Sequence, residues 1–127
     1  MSEKRPPLGI LLLDGGHERA HYALVMASGA AALGRDVVLF ATNGGCRLLL
    51  ADCPLLQDAR EAHLAACGVA GVGTLLAAIA ALGVQCMVCE AGLRAEDLGA
   101  VPLAPGVERA GAASFLAAVG SGQIVSL

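Results

Sequence analysis

Residues 8–13 form a continuous apolar run and residues 36–42 an apolar run bounded by Asp36 and Thr42, and each closes on a pair of glycines, in Asp14-Gly15-Gly16 and Asn43-Gly44-Gly45. A run that is apolar at nearly every position is buried on both faces, as a central strand of a parallel sheet is. Between the runs, residues 18–33 set Tyr22, Leu24, Val25, Met26 and Leu33 among alanines, with Gly34 directly after them. That is the spacing and the stop signal of a helix. Strand, helix and strand in this order make a crossover unit, which is right-handed when both strands share a sheet.

The rest of the chain repeats the alternation. Residues 84–89 and 123–127 read as further strands, and 107–110 as a short one. Residues 72–82, 90–98 and 112–119 read as helices. The segment 46–71 is the least regular; short helices over 48–50 and 57–66 flank Cys53 and Pro54. A Pro/Gly-rich link spans 101–106. Strands alternating with helices predict a three-layer α/β/α sandwich, with a mainly parallel sheet of about five strands, in one domain over 1–127.

Apolar residues make up 57% of the chain, yet Tyr22, Phe40 and Phe115 are its whole aromatic set. Such a core is built from small aliphatic side chains at close approach, which suits helices on a sheet. A chain this short and this apolar exposes apolar surface as a monomer, so a homo-oligomer is expected. The net charge of −3 and the lack of a basic stripe argue against nucleic acid as a partner. Residues 64–84 are uncharged and long enough to span a bilayer, but Gly68, Gly71, Gly73 and Gly83 interrupt them, and a soluble helix ending at Gly83 is the better reading. The first seven residues lack the shape of a signal peptide. Five cysteines without a secretory signal point to the cytoplasm and to free thiols.

The candidate for chemistry is Cys89. It ends the run 84–89 where a helix begins, at the sheet edge where open α/β folds place ligands. A thiol at a helix start meets the positive end of the dipole, which favours the thiolate; the Glu90 carboxylate beside it acts in the opposite sense. A buried, inert cysteine is the competing reading. Asp14, Gly15, Gly16, Asn43, Gly44 and Gly45 follow strands and so lie on the same edge, where glycines admit an anion or a sulfur to the backbone amides; Gly92 offers another amide. Cys86 and Cys89 are spaced C-x-x-C, but on a strand they point to opposite faces. One of Cys46, Cys53 or Cys67 is a possible resolving partner, and spacing does not choose among them. His17-Glu18-Arg19-Ala20-His21 matches H-E-x-x-H, with His63 or Glu90 as a conceivable third ligand. It stands at a helix start rather than mid-helix, so a solvated helix start is the preferred reading and no metal is assigned.

These residues, in this order, resemble the DsrE/DsrF-like family: Leu11 to Gly15, Glu18 to Leu24, Val37 to Thr42, Gly83 to Cys89, Gly106 to Gly111 with Phe115 and Leu116, and a terminal strand. The resemblance implies a five-stranded parallel sheet flanked by helices, and trimers or hexamers. It also implies a sulfur-relay role in which a cysteine after the third strand, here Cys89, carries a persulfide. Many relatives place a second cysteine three residues later; Gly92 stands there in this chain. No cofactor is expected. The expected function is a sulfur carrier that exchanges sulfur with donor and acceptor proteins. The alternative is a non-catalytic oligomeric module of the same fold that binds a small ligand or a partner.

Overall fold

The computed structural model describes residues 5–127; the beginning of the segment read as lacking a signal-peptide shape lies outside them. The elements run β1 (Leu8–Leu12), α1 (His17–Ala32), β2 (Val37–Ala41), two 3₁₀ segments (Asn43–Leu49 and Pro54–Gln57), α2 (Ala59–Ala66), α3 (Val72–Ala81), β3 (Gln85–Cys89), α4 (Glu90–Ala95), β4 (Glu108–Ala110), α5 (Ala112–Val119) and β5 (Gln123–Ser126). The strands form one all-parallel sheet in the order β4-β3-β2-β1-β5.

Handedness explains where the helices sit. From β1 to β4 the chain steps across the sheet in one direction, so right-handed crossovers put α1, α3 and α4 on one face. The step from β4 to β5 runs the other way and puts α5 on the opposite face. The core divides accordingly. Ile10, Leu12, Leu39 and Val88 meet Leu24 of α1, Ile79 of α3 and Leu93 of α4 on the first face. Val38, Phe40 and Met87 meet Phe115 and Val119 of α5 on the second. The Phe40 and Phe115 rings stack there with centroids 4.9 Å apart. A side chain on Gly9 would stand 2.5 Å from Val119 Cγ2 and 2.9 Å from Phe115 Cζ, so the bare backbone of β1 is what lets α5 approach.

The expected architecture holds, and its boundaries differ in ways the backbone explains. Helices α1 and α3 end ahead of Gly34 and Gly83, which take φ of +87° and +75°, the left-handed conformation that stops a helix. Helix α4 stops at Ala95 instead of reaching Leu98, because Asp97 turns left-handed at φ +57° and the Leu98 amide donates back to the Leu93 carbonyl. Asn43-Gly44-Gly45, read as a turn, instead opens a 3₁₀ segment that runs to Leu49. The uncharged stretch 64–84 breaks at Gly68 between α2 and α3, and among the described residues no helix is long and apolar enough to cross a membrane.

Candidate functional site

Cys89 is the last residue of β3 and the cap of α4, and its Sγ accepts a hydrogen bond from the Gly92 amide at 3.4 Å. The side chain is half-buried and packs on the α5 face beside the cluster of Phe40, Met87 and Phe115. Cys86 packs on the other face with the cluster around Leu39. The sheet therefore separates the two C-x-x-C thiols, as strand alternation requires. Glu90, next to Cys89, lies 3.8 Å from Arg94 one turn along α4, an exposed pair.

The loops after β1, β2 and β3 touch one another closely. A Cβ on Gly15 would stand 2.7 Å from the Gly44 carbonyl oxygen, and one on Gly45 would overlap the Leu12 carbonyl. A Cβ on Gly92 would stand 2.5 Å from Thr42 Oγ1 and 2.6 Å from the Asn43 amide nitrogen. The Gly45 amide donates to the Leu13 and Thr42 carbonyls. Gly15 and Gly92 are thus needed for loop-to-loop packing, and Gly44 stands at the same contact. Asp14 caps its own turn: Oδ1 accepts from the Gly16 amide at 2.6 Å, and Oδ2 lies 3.9 Å from Arg19 Nε.

A cavity of about 610 Å³ opens where the strand order reverses, at the carboxyl ends of β1 and β5. That reversal is the usual ligand crevice of an open α/β sheet. Asp14, Gly16, Arg19, Tyr22 and Arg60 line it; Cys89, Asn43, Gly44 and Gly92 do not. The single pocket expected from sequence is therefore divided: Asp14 and Gly16 face this crevice, and Cys89 with Gly92 lies two strands away.

The H-E-x-x-H histidines correct the sequence reading. Both are buried rather than solvated, with rings stacked at 5.9 Å. His17 Nε2 meets Glu61 Oε1 at 2.7 Å, and His21 Nε2 meets the Ala70 carbonyl at 2.8 Å. Both partners are acceptors, so each ring donates through Nε2. The same Glu61 oxygen accepts from the Val72 amide at 2.7 Å, the first residue of α3. Burial works against the Glu61 carboxylate, but the bonds from His17 and Val72 outweigh it and hold its pKa below the ordinary value. The arrangement clamps α1 to the α2–α3 connection. Glu61, in a segment where sequence gave only a short helix, lies 44 positions from His17, and no local pattern joins them. Neither of the conceivable third ligands, His63 and Glu90, bonds to either ring: His63 is exposed on α2 with Nε2 3.7 Å from Cys67 Sγ, and Glu90 pairs with Arg94. Among the described residues no group of three or more His, Cys, Asp or Glu stands together as a metal site.

The other thiols sort by environment. Cys46 is fully buried, and burial pushes its pKa up to about 11, with charge on Cys89 and on Glu96 adding to the push. Cys46, one of the three cysteines left open as partners of Cys89, is held as a neutral thiol. Burial also raises Cys53, and it raises Cys86 to about 11. Cys67 is exposed. Arg47 joins the 3₁₀ segment after β2 to the end of α4 through Glu96 at 2.6 Å, which fixes the loop holding Cys46 against the helix that Cys89 begins.

A parallel α/β/α sandwich with a half-buried cysteine at the carboxyl end of its third strand gives the described residues one candidate nucleophile at that edge of the sheet. The chain belongs to the DsrE/DsrF-like family, whose model matches residues 8–126, a family generally linked to sulfur relay. Among solved structures it is similar to the YchN protein from E. coli, with a TM-score of 0.72 and 15% identity over 98% of this chain and 100% of that one. At that identity the likeness establishes the fold. Among curated proteins, none matches the sequence.

Proposed function

We propose that this protein is a cytoplasmic sulfur carrier that holds sulfane sulfur on Cys89. The observation that carries the reading is the position of Cys89: half-buried at the carboxyl end of β3, with the Gly92 amide directed at its sulfur, in a chain of a family linked to sulfur relay. The Cys89 thiolate attacks the outer sulfur of a donor persulfide. A new S–S bond forms on Cys89 as the donor's S–S bond breaks, and the donor leaves as a thiolate. An acceptor thiolate then attacks the terminal sulfur and regenerates Cys89. No external oxidant or reductant is required, since the sulfane sulfur moves between thiols. Cys46, held neutral, does not compete as a nucleophile.

Intact mass after incubation with a persulfide donor tests the proposal. The parent chain gains one sulfur, a reductant removes it, and Cys89→Ala gains none. A folded parent that takes up no sulfur, or a Cys89→Ala variant that takes up as much, overturns the carrier reading. A non-catalytic binding module is then the better account, favoured by the crevice between β1 and β5, which Cys89 does not line.

We also propose a homo-oligomer, a trimer or hexamer. Among the described residues the second sheet face carries α5 as its one helix, and Leu13, Leu116 and Ile124 are exposed. Light scattering should give three or six times the single-chain mass, and Leu116→Glu should lower it. A parent chain that stays monomeric at every concentration tested contradicts this.

A further inference from the structure

A second cavity, on the α3 face and apart from both Cys89 and the β1–β5 crevice, has a volume of about 490 Å³. Small-molecule sites occupy about 300–1,000 Å³, and about 150 Å³ of dry apolar space holds a benzene. Its floor is Leu49, Cys53 and Ile79, all buried, and its walls include Leu76, Cys86 and Val107. None of the sixteen lining residues carries a charge, and their only side-chain polar atoms are the two thiols. Burial raises both thiols, so they face the cavity uncharged.

The walls are anchored to one another. The Ala51 amide donates to the Pro102 carbonyl and the Ala104 amide to the Leu49 carbonyl, both at 2.9 Å, around an antiparallel bridge between Leu50 and Leu103. The link 101–106 is thereby fixed across the end of the first 3₁₀ segment, and the space between it and α3 exists without an occupant to shape it. A carboxylate, phosphate or ammonium seated on the buried floor would lose hydration there and meet no counter-charge.

From these observations we propose that this cavity is a binding site for a small, neutral, apolar molecule such as a medium-chain alcohol. The site is independent of the sulfur-carrier reading and holds whether or not Cys89 takes up sulfur. A second copy of the chain covering the same surface is the competing occupant, and the test separates the two.

Cys86 lies in the wall and is half-buried, and its raised pKa makes alkylation slow, so its labelling rate, followed in mildly alkaline buffer with excess reagent, reports occupancy. The full chain is treated with a neutral maleimide, with decanol, with decanoate or with neither, and labelled sites are mapped by mass. Decanol is expected to slow Cys86 labelling saturably while leaving exposed Cys67 unchanged, and decanoate at the same concentration to act at least about tenfold more weakly. Ala80→Phe, which places a ring in the cavity from an exposed position on α3, should remove the decanol effect. Equal protection by decanol and decanoate overturns the proposal, as does no protection of Cys86. Protection without ligand that disappears on dilution also overturns it, because a second copy is then the occupant. The comparison of alcohol with carboxylate on the unmodified chain decides the question even if Ala80→Phe fails to fold.

Discussion

Glu61→Ala is expected to lower the unfolding free energy by about 2–4 kcal/mol in a urea titration near neutral pH. One Glu61 oxygen accepts from both His17 Nε2 and the Val72 amide at 2.7 Å. The His17 side chain is 1% exposed, and its Nδ1 has no partner. With Glu61 removed, a buried imidazole loses its one side-chain hydrogen bond and α3 loses the acceptor at its first amide. A buried donor left unpaired costs more than the bond contributed. Glu61→Gln keeps an acceptor for Val72, and the His17 ring can pair with the amide, so its loss should be nearer 1 kcal/mol, about that of one ordinary hydrogen bond. Equal stability of Glu61→Ala and the parent would show that the clamp between α1 and the α2–α3 connection contributes nothing.

The same carboxylate sets a pH dependence with a defined sign. Its folded pKa lies below the ordinary value of 4.5. A group depressed on folding contributes stability that is fully present above its unfolded pKa and is lost as pH falls through the folded one. The parent should therefore lose stability on acidification below about pH 4.5, and Glu61→Gln should lack that part of the loss. Chemical denaturation of both proteins from pH 7 to pH 3 measures it; parallel curves over the acid range would rule out Glu61 as the source.

What the sequence revealed and what it hid follow from range. The strands and helices were legible because burial writes local patterns: unbroken apolar runs for β1 and β2, and glycine stops at Gly34 and Gly83. The position of Cys89 was legible because it follows from strand order alone. The partner of His17 was not, since Glu61 lies far along the chain, and a histidine at a helix start reads as solvated until the α2–α3 connection is folded over it. The divided pocket was hidden for a related reason. Parallel strands place all their carboxyl ends on one edge, which is visible in sequence. Whether glycines on that edge face a ligand or one another depends on how closely neighbouring loops approach. Gly15 and Gly44 meet across that gap, and their type alone does not tell the two uses apart.

Gly92→Ala tests that closeness where it bears on Cys89. The added Cβ would stand 2.5 Å from Thr42 Oγ1, 2.6 Å from the Asn43 nitrogen and 3.1 Å from Thr42 Cα. A hydroxyl can rotate away, but the Asn43 backbone cannot, because Gly45 and Thr42 tie that loop to the end of β1 through the Leu13 and Leu12 carbonyls. Overpacking of this kind costs about 1–3 kcal/mol, so Gly92→Ala should lower the unfolding free energy by that amount and shift the urea midpoint downward. Thr42→Ala in the same chain removes one of the close atoms and leaves the backbone, so it should restore only part of the loss. Full recovery in the double variant would place the obstruction in the hydroxyl and refute the backbone argument. The consequence reaches the chemistry. Where relatives carry a second cysteine three residues after the first, this chain has a glycine that its own loop requires, and Gly92→Cys should be destabilised at least as much as Gly92→Ala. A two-thiol centre at this loop therefore needs a different packing of residues 42–45, and in the present packing the proposed carrier has Cys89 as its one thiol at this loop.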